Sequence, residues 1–268
     1  MTVRPFQGSV VVVTGAAGGL GGALCRQFAS AGAQIAALDR DGAGARVLAD
    51  ELTATGATCL ALACDVTDSS ACDAAIAVIQ ARFHRIDVLI NNAGISHRSA
   101  FVDTAPDVIR RVMAVNFFGA VHATHAALPA LLASRGLIIT ISSVAGFAPL
   151  IGRTGYAASK HALHGFFDSL RTEVEDAGVG VLLVCPSFIA TGIDSAALGA
   201  DGHPLNAARQ TVGGLTSPDE VATAVLHAAV QRRKLLLFST TARAAWWLTR
   251  LWPARYAAIM KQRLRGEV

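Results

Sequence analysis

Tyr156 and Lys160 are the two side chains in this sequence whose types and spacing best suit acid–base chemistry. They lie four residues apart in the segment YAASK, so on a helix they would share one face. A free tyrosine has a pKa near 10, about 3 units too high for base action near neutral pH, and closing that gap takes about 4 kcal/mol. An ammonium about 4 Å away supplies on the order of 4 kcal/mol at an effective dielectric constant near 20. The spacing therefore predicts that Lys160 makes Tyr156 a usable acid or base, although an isolated YxxxK is more often an accidental surface pair.

A glycine-rich turn, TGAAGGLG at residues 14–21, follows the first apolar run of the chain. Glycines allow positive φ and a close approach of backbone to phosphate, and a helix after the turn offers free N–H groups and its positive dipole end. Asp39 ends the next apolar run 18 residues after Gly21, a spacing that suits a carboxylate accepting a hydrogen bond from an adenosine ribose. The pattern predicts a dinucleotide site; the alternative is a tight strand–helix turn with a surface aspartate.

Asp39 and Arg40 also bear on which dinucleotide binds. A carboxylate at position 39 repels a 2′-phosphate, and Ala17 and Gly18 provide no cation inside the turn, so the sequence favours NAD. Arg40 could stack on adenine or, if Asp39 swings away, reach a phosphate. NADP is therefore the alternative.

The elements that must position these residues alternate along the chain, because short apolar, β-branched runs are followed by longer helical stretches. We predict strands at Val10–Thr14, Ile35–Asp39, Cys59–Cys64, Val88–Asn91, Leu137–Ser142, Gly180–Cys185 and Leu235–Phe238. We predict helices at Gly19–Ala31, Gly44–Thr55, Ser69–Phe83, Ala105–Ser134, Tyr156–Asp176 and Pro218–Val230. The alternation predicts a single α/β domain with a doubly wound, parallel, seven-stranded sheet and helices on both faces.

Residues 187–215 and 239–268 do not follow this alternation. The first segment is poor in charge and too long for an ordinary connection, so we assign it as a substrate-binding loop within a domain of residues 1–238.

From Arg232 onward, nine Lys or Arg residues and one acid give a net charge of +8, whereas the whole chain carries +4. All three tryptophans lie in this basic C-terminal extension, and Pro253 predicts a second short helix there. The composition suits a helix at a membrane surface or over an apolar substrate entrance; packing on the domain or on a partner subunit is the alternative.

Composition narrows the class of protein further. At 268 residues and 53% hydrophobic content the chain can bury a sizeable core. Five cysteines without a CxxC indicate buried thiols in a reducing compartment, and two HxxH spacings without companion ligands do not predict a metal site. The N-terminus lacks the apolar stretch of a signal peptide, and no uninterrupted apolar run reaches about 18 residues, which favours a cytoplasmic protein. Because the excess basic charge is confined to the extension, we expect no nucleic-acid surface.

Further short motifs occur in order along the chain: DV at 65–66, NNAG at 91–94, Asn116 within AVNFFG, and SS at 142–143. Tyr156 follows Ser143 by 13 positions. With the TGxxxGxG turn and YxxxK, these motifs make residues 8–238 closely resemble the short-chain dehydrogenase/reductase family, whose fold is of the Rossmann type.

The resemblance implies a catalytic tetrad and a set of cofactor contacts. The tetrad positions are matched by Asn116, Ser143, Tyr156 and Lys160. The implied cofactor contacts are Gly15, Gly19, Leu20 and Gly21 at the pyrophosphate, Asp39 and Arg40 at the adenosine, Asp65 and Val66 at adenine, Asn91, Ala93 and Gly94 along the cleft, and Tyr156, Lys160, Pro186, Ile189 and Thr191 near the nicotinamide. Ser187 stands where the family usually has the glycine of a Pro-Gly pair. Taken singly, each of these residues also has a purely structural interpretation, such as a strand end or a helix kink.

In the mechanism that the resemblance implies, Tyr156 exchanges a proton with the substrate oxygen and Ser143 donates a hydrogen bond to it. Lys160 also holds the nicotinamide ribose, and Asn116 holds a water that relays protons. We therefore expect an NAD(H)-linked alcohol dehydrogenase or carbonyl reductase, with a lipophilic substrate favoured by the charge-poor loop and the aromatic extension. An NADPH-linked 3-oxoacyl-thioester reductase and a catalytically silent dinucleotide-binding scaffold are the alternatives. Helices 105–134 and 156–176 resemble the pair through which family members form homodimers and homotetramers.

Overall fold

Seven parallel strands form the centre of the structure, a computed structural model that describes residues 4–190, 196–205 and 215–263. The strands are β1 (Val10–Thr14), β2 (Gln34–Asp39), β3 (Cys59–Ala63), β4 (Val88–Asn91), β5 (Leu137–Ile141), β6 (Gly180–Cys185) and β7 (Leu235–Leu237). They lie in the order β3-β2-β1-β4-β5-β6-β7. The predicted α/β class and seven-stranded parallel sheet are thus confirmed, with each strand end within one residue of its prediction.

The strand order creates the position for a site. The chain runs from β1 outward to β3, returns to place β4 beside β1, and then runs outward in the other direction. In open parallel sheets, ligands bind in the crevice at the carboxyl ends of the strands where the order reverses. Here that crevice lies between the ends of β1 and β4.

Nine helices of the described chain surround the sheet. They are α1 (Gly19–Ser30), α2 (Gly42–Ala54), α3 (Ser69–Phe83), α4 (Pro106–Met113), α5 (Gly119–Ser134), α6 (Thr154–Val174), α7 (Pro218–Val230), α8 (Thr240–Leu251) and α9 (Pro253–Arg263). One face of the sheet is covered by α1, α2 and α7, with Phe28 and Val225 fully buried there. The other face is covered by α3, α5 and α6, with Ile79 and Phe167 fully buried. Helices therefore cover both faces, as predicted.

The single helix predicted over Ala105–Ser134 is interrupted. A π-helical turn, Ala114–Phe118, joins α4 to α5, and the Gly119 N–H donates to the carbonyl of Ala114 five residues earlier. One extra residue in a helical turn leaves the apolar periodicity of the two halves almost unchanged, so the sequence pattern does not reveal it. Asn116, a predicted site residue, lies in this turn.

Two helix starts also differ from their predictions, because capping side chains extend the helices. The Asp41 carboxylate accepts from the Gly44 N–H at 3.0 Å, so α2 begins at Gly42 instead of Gly44. His97 Nε2 accepts from the Gly155 N–H at 2.8 Å, so α6 begins at Thr154 instead of Tyr156. Tyr156 therefore lies in the first turn of α6.

Among the described residues, one helical stretch, 106–134, is long and apolar enough by length and composition to cross a membrane. In this fold it includes the π-helical turn, and its α5 part packs against α3 and the sheet. Its inner side contributes Ala123, Ala127 and Leu131 to the core. A core helix of a globular domain has the same length and composition.

Candidate active site

A cleft of about 380 Å³ opens at the carboxyl ends of the central strands. It is lined by most of the residues predicted for the site: Gly15, Gly19, Leu20, Gly21, Asp39, Arg40, Asp65, Val66, Ala93, Gly94, Ser143, Tyr156, Lys160, Pro186 and Ile189. Thr191 lies outside the described residues. Asn91 and Asn116 do not line the cleft, and their surroundings are given below.

The glycine-rich turn leaves room for a ligand and closes tightly on the backbone behind it. Gly15 has φ +66°, and a Cβ on it would lie 2.8 Å from Ala93 Cα. A Cβ on Gly21 would lie 2.0 Å from the Gly15 carbonyl oxygen. The N-cap of α1 is Gly18, which provides no capping side chain, and the first turn of α1 holds no acid. The first N–H groups of α1 therefore remain available to an anion such as a pyrophosphate, so the turn fits such a group.

Asp39 is fixed in orientation at the end of β2. One carboxylate oxygen accepts from the Ala17 N–H and the other from the Asp41 N–H, both at 2.9 Å. Because each oxygen keeps a further lone pair, the carboxylate can also accept from a ribose hydroxyl. Arg40 lines the cleft beside it. The N–H of Thr67, and to a smaller extent the charge of Arg40, lower the pKa of Asp65, so this carboxyl is ionised at neutral pH.

Tyr156 and Lys160 both lie on α6 and both line the cleft. The Lys160 side chain is buried, its Nζ donates to the Ile141 carbonyl at 2.8 Å, and Nζ lies 5.7 Å from the centre of the Tyr156 ring. Desolvation lowers the pKa of Lys160 to about 8, so the ammonium is protonated at neutral pH but close to its titration range.

Ser142 and Ser143, which follow β5, both line the cleft but make different hydrogen bonds. Ser143 caps the short 3₁₀ turn Val144–Gly146, where its Oγ accepts from the Ala145 N–H at 3.1 Å, and it lines the cleft with its hydroxyl proton still available to a ligand. Ser142 Oγ lies 3.0 Å from His164 Nε2 and donates to the Lys160 carbonyl at 3.4 Å. Ser143 thus offers a free donor to the cleft, whereas the Ser142 hydroxyl is used in tying β5 to α6.

Asn116 connects three segments of the chain through its carboxamide. Its Oδ1 accepts from the Ile95 N–H at 2.8 Å, and its Nδ2 donates to the Ile95 carbonyl at 3.0 Å and to Ser159 Oγ at 2.9 Å. Both N–H bonds of the amide are used in these contacts. The side chain thus locks the π-helical turn to the segment after β4 and to α6, next to Gly94 and Lys160.

The two adjacent asparagines after β4 differ in position. Asn91 is buried, its Nδ2 donates to Thr124 Oγ1 at 2.8 Å, and its Oδ1 has no hydrogen-bond partner. Asn92, which the sequence analysis did not single out as a cofactor residue, lines the cleft and donates through Nδ2 to the carbonyls of Thr14 and Gly15, each at 3.0 Å. The amide of Asn92 therefore braces the glycine-rich turn.

A buried polar group beside Tyr156 was not predicted from the sequence. Arg153 is 4% exposed, lines the cleft and donates to Ser96 Oγ at 3.1 Å. His97 is fully buried; burial, followed by the charge of Arg153, lowers its pKa, so it is neutral and caps α6. The place of Arg153, three residues before Tyr156, is the signal that could have found it. In the part of the chain that the structure describes, no three His, Cys, Asp or Glu side chains come together as a metal site would require.

Comparisons with known proteins identify the family of this chain. The family model for short chain dehydrogenases matches residues 9–200. A "Dehydrogenase/reductase SDR family member 7B" from Bos taurus is 39% identical over 267 residues, which cover 97% of this chain and 82% of that protein. A "Dehydrogenase/reductase SDR family protein 7-like" from Anopheles gambiae is 38% identical, with 97% and 84% covered.

Solved structures show the same relationship. A short chain dehydrogenase/reductase from Burkholderia phymatum in complex with NAD has a TM-score of 0.82 and 28% identity, and the match covers 97% of this chain and 96% of that one. A metagenomic short-chain oxidoreductase in complex with NADP has a TM-score of 0.71 and 30% identity, with 87% and 96% covered. The chain belongs to the short-chain dehydrogenase/reductase family of oxidoreductases, as its motifs predicted.

Proposed function

We propose that this chain is an NAD(H)-linked oxidoreductase that interconverts a lipophilic secondary alcohol and its ketone. The observation that carries the proposal is that Tyr156, Lys160 and Ser143 line the same cleft as the glycine-rich turn and Asp39. This shared lining supports the proposal that one bound cofactor and one small substrate meet there.

The cofactor, when bound, supplies or takes up the hydride at the substrate carbon. In the proposal, the Tyr156 hydroxyl gives a proton to the substrate oxygen during reduction and removes it during oxidation. The Ser143 hydroxyl donates a hydrogen bond to the same oxygen and stabilises the negative charge that develops on it. An ammonium about 6 Å from a unit negative charge stabilises it by about 3 kcal/mol at an effective dielectric constant near 20. Lys160 Nζ lies 5.7 Å from the centre of the Tyr156 ring, which supports a contribution of this order to the acid–base step.

Lys160 is held for this role by the main chain. Its hydrogen bond to the Ile141 carbonyl fixes Nζ between β5 and α6 while leaving two N–H donors. In the proposal those donors reach the ribose of the nicotinamide nucleotide. Asn116 positions the Ile95 segment opposite, and its remaining lone pair is the acceptor that would hold a relay water.

NAD is the favoured cofactor because of Asp39. Its carboxylate is oriented by two backbone N–H groups and lies against Ala17 in the turn, where a 2′-phosphate would meet a fixed negative charge. The Burkholderia phymatum relative in complex with NAD supports this choice. NADP is the alternative because Arg40 lines the cleft and because the metagenomic relative is in complex with NADP.

A lipophilic substrate is supported by the lining of the cleft beyond the tetrad. Apolar side chains there are Ile95, Val115, Leu150, Phe188 and Ala196. Arg111 and Arg153 add positive charge to the same cleft. This lining favours an apolar body next to the reacting carbonyl over a sugar.

The experiment that tests the function is a panel of alcohols and ketones with both nicotinamide cofactors. We expect turnover of lipophilic secondary alcohols or ketones, with kcat/KM higher for NAD(H). NADP(H)-dependent turnover of 3-oxoacyl thioesters alone would favour the reductase alternative. Cofactor binding without turnover of any substrate would favour the silent scaffold.

We also infer that the protein is a cytoplasmic homodimer or homotetramer formed through α5 and α6. Phe118 and Leu132 on this side are 48% and 39% exposed in the single chain, and burying such side chains is a common reason for association. All five cysteines are free thiols, which suits a reducing compartment. Light scattering of the purified protein tests the assembly; a monomer at micromolar concentration would contradict it.

A further inference from the structure

We infer that the C-terminal helices α8 and α9 form a docking face for the headgroup region of an anionic phospholipid bilayer. This docking face consists of exposed apolar side chains, Trp247, Leu251, Trp252 and Ile259, and of exposed cations, Arg243, Arg255, Lys261 and Arg263. Arg250 is also exposed, but its guanidinium stacks on the Trp246 ring, 3.1 Å from the ring centre. The inference concerns a surface outside the tetrad and the cofactor cleft.

The inner faces of the two helices are anchored to the domain. Ala245 of α8 and Tyr256 and Met260 of α9 form a buried cluster with Ala148, and Phe147 and Leu150 pack against it. Trp246 adds an edge-on contact to Phe147, with ring centres 4.9 Å apart. The helices are thus fixed on the segment that follows Ser143, and their other faces point away from the domain.

Large apolar side chains occupy those other faces. Trp247, Leu251 and Trp252 are 62%, 56% and 53% exposed, and Ile259 on α9 is 41% exposed. Trp247 and Leu251 lie one helical turn apart on α8 and therefore share a face. Indole rings are favoured at the boundary between headgroups and acyl chains, where the ring is buried and its N–H stays hydrated.

The positive charge of the docking face indicates which kind of partner it binds. Residues 240–263 contain five Lys or Arg and no Asp or Glu. Helices that combine basic side chains with Trp and Leu bind in the plane of anionic membranes, where each cation near the surface contributes to binding. A second copy of the chain, placed on the same face by a two-fold axis, would set cations against cations. The charge pattern therefore favours an anionic bilayer over self-association.

The docking face adjoins the candidate active site. Leu150 lines the active-site cleft and also a small groove formed with Ala257, Met260 and Lys261 of α9. A bilayer held by α8 and α9 would place this edge of the cleft near the acyl chains. Delivery of a lipophilic substrate from the membrane rests on the proposed function, whereas membrane binding itself does not.

Tryptophan fluorescence provides a direct test, because Trp247 and Trp252 are exposed on this face and Trp246, the third tryptophan of the chain, packs beneath it against Phe147. With the full chain, we expect a blue shift and quenching by brominated acyl chains on mixing with vesicles that contain phosphatidylserine. Co-sedimentation should be at least about tenfold stronger with these vesicles than with phosphatidylcholine alone. The variants Trp247→Ser/Leu251→Ser and Arg243→Gln/Arg255→Gln should each weaken binding about tenfold or more.

Matched controls are Phe101→Ser, which removes a 67% exposed aromatic elsewhere, and Arg46→Gln, which removes an exposed cation on α2; both should bind vesicles like the wild type. Circular dichroism checks that every variant is folded.

Binding that is absent, equal for both lipids or unchanged in both docking-face variants overturns the inference. Self-association that the same variants abolish, without vesicle binding, assigns the face to a second copy and also overturns it. Turnover of a water-soluble ketone without vesicles tests the proposed function separately.

Discussion

The ammonium of Lys160 lies 5.7 Å from the centre of the Tyr156 ring while it donates to the carbonyl of Ile141 at 2.8 Å. The lysine is thus tied to the end of β5, and its charge is held under the phenol in a buried position. This relationship joins the sheet, α6 and the cleft in one contact, and the predictions on catalysis follow from it.

Tyr156→Phe removes the hydroxyl that exchanges a proton with the substrate. We expect kcat to fall at least 10²-fold, on the order of the contribution of a positioned acid or base. Cofactor affinity and the unfolding temperature should stay close to those of the wild type, because the ring is kept. Steady-state kinetics and cofactor titration measure the two effects, and near wild-type turnover would remove Tyr156 from the mechanism.

Lys160→Met should abolish turnover without destabilising the protein. Burial lowers the pKa of Lys160 to about 8 from 10.5, so the group is still protonated in the folded state at pH 7, but holding its charge there costs folding free energy relative to the unfolded chain. The gain from removing this buried charge offsets the lost hydrogen bond to Ile141, and we expect the unfolding free energy at pH 7 to change by no more than about 1 kcal/mol or to rise. Urea unfolding measures it; a loss of several kcal/mol would show that the lysine stabilises the fold.

The lowered pKa of Lys160 also predicts how the stability of the protein changes with pH. Between about 8 and 10.5 the unfolded chain binds the Lys160 proton and the folded chain does not, so this group increases stability as the pH rises through that window. Lys160→Met should remove that increase.

Asp39→Asn should shift cofactor preference towards NADP. The amide keeps an acceptor for the Ala17 N–H but removes the charge that a 2′-phosphate would meet, so we expect the NAD to NADP ratio of kcat/KM to fall about tenfold, equivalent to about 1.4 kcal/mol. Asp41→Asn is the control, because this neighbouring carboxylate caps α2 by accepting from the Gly44 N–H, whereas the Ala17 N–H donates to Asp39. Equal ratios in the wild type and Asp39→Asn would contradict the role of Asp39.

Gly21→Ala should disrupt the glycine-rich turn. A Cβ there lies 2.0 Å from the Gly15 carbonyl oxygen, so the turn must shift, and we expect about 1–3 kcal/mol of destabilisation together with weaker cofactor binding. Gly165→Ala in α6 meets no atom within 4 Å and should stabilise the protein by about 0.5–1 kcal/mol. Thermal unfolding and cofactor titration compare the two variants, which make the same chemical change in two helices.

His164 should make the protein sensitive to acid. Burial, as the main cause, lowers its pKa to about 4 from 6.5, so below pH 6.5 the unfolded chain takes up a proton that the folded chain refuses. Stability is therefore lost as the pH falls from 6.5 towards 4, and between pH 7 and about 4.5 this group accounts for about 2–3 kcal/mol. Between pH 7 and about 4.5, the free energy of unfolding of His164→Gln should therefore fall by about 2–3 kcal/mol less than that of the wild type. His125→Gln, on the exposed side of α5, should behave like the wild type.

The sequence predicted the sheet and most of the cleft because the signals for them are local. Apolar runs of four to six residues mark buried strands, and a glycine between a strand and a helix marks a turn that a Cβ would block. Asp39 could be placed at the cleft from its distance along the chain, since parallel strands bring their carboxyl ends to one edge.

What the sequence did not predict depends on contacts between distant segments. Asn91 and Asn92 are adjacent and chemically identical, and only the packing of Asn91 against Thr124 on α5 decides which one faces the cleft. The cap that His97 forms on α6 joins residues 58 positions apart, and no periodicity encodes it. The place of Arg153 three residues before Tyr156 was a local signal, but its hydrogen bond to Ser96, 57 positions away, depends on long-range packing.

The π-helical turn at Ala114–Phe118 has a consequence for how this stretch of chain can change. Deleting one residue from it would restore an uninterrupted α-helix, in which the Gly119 N–H and the Ala114 carbonyl, then four residues apart, still pair and the faces of both halves are kept. The widened turn that lets Asn116 bond both Ile95 and Ser159 would be lost, so these contacts would weaken while α5 keeps its packing on the sheet. The length of this segment is therefore as constrained as the identity of its asparagine.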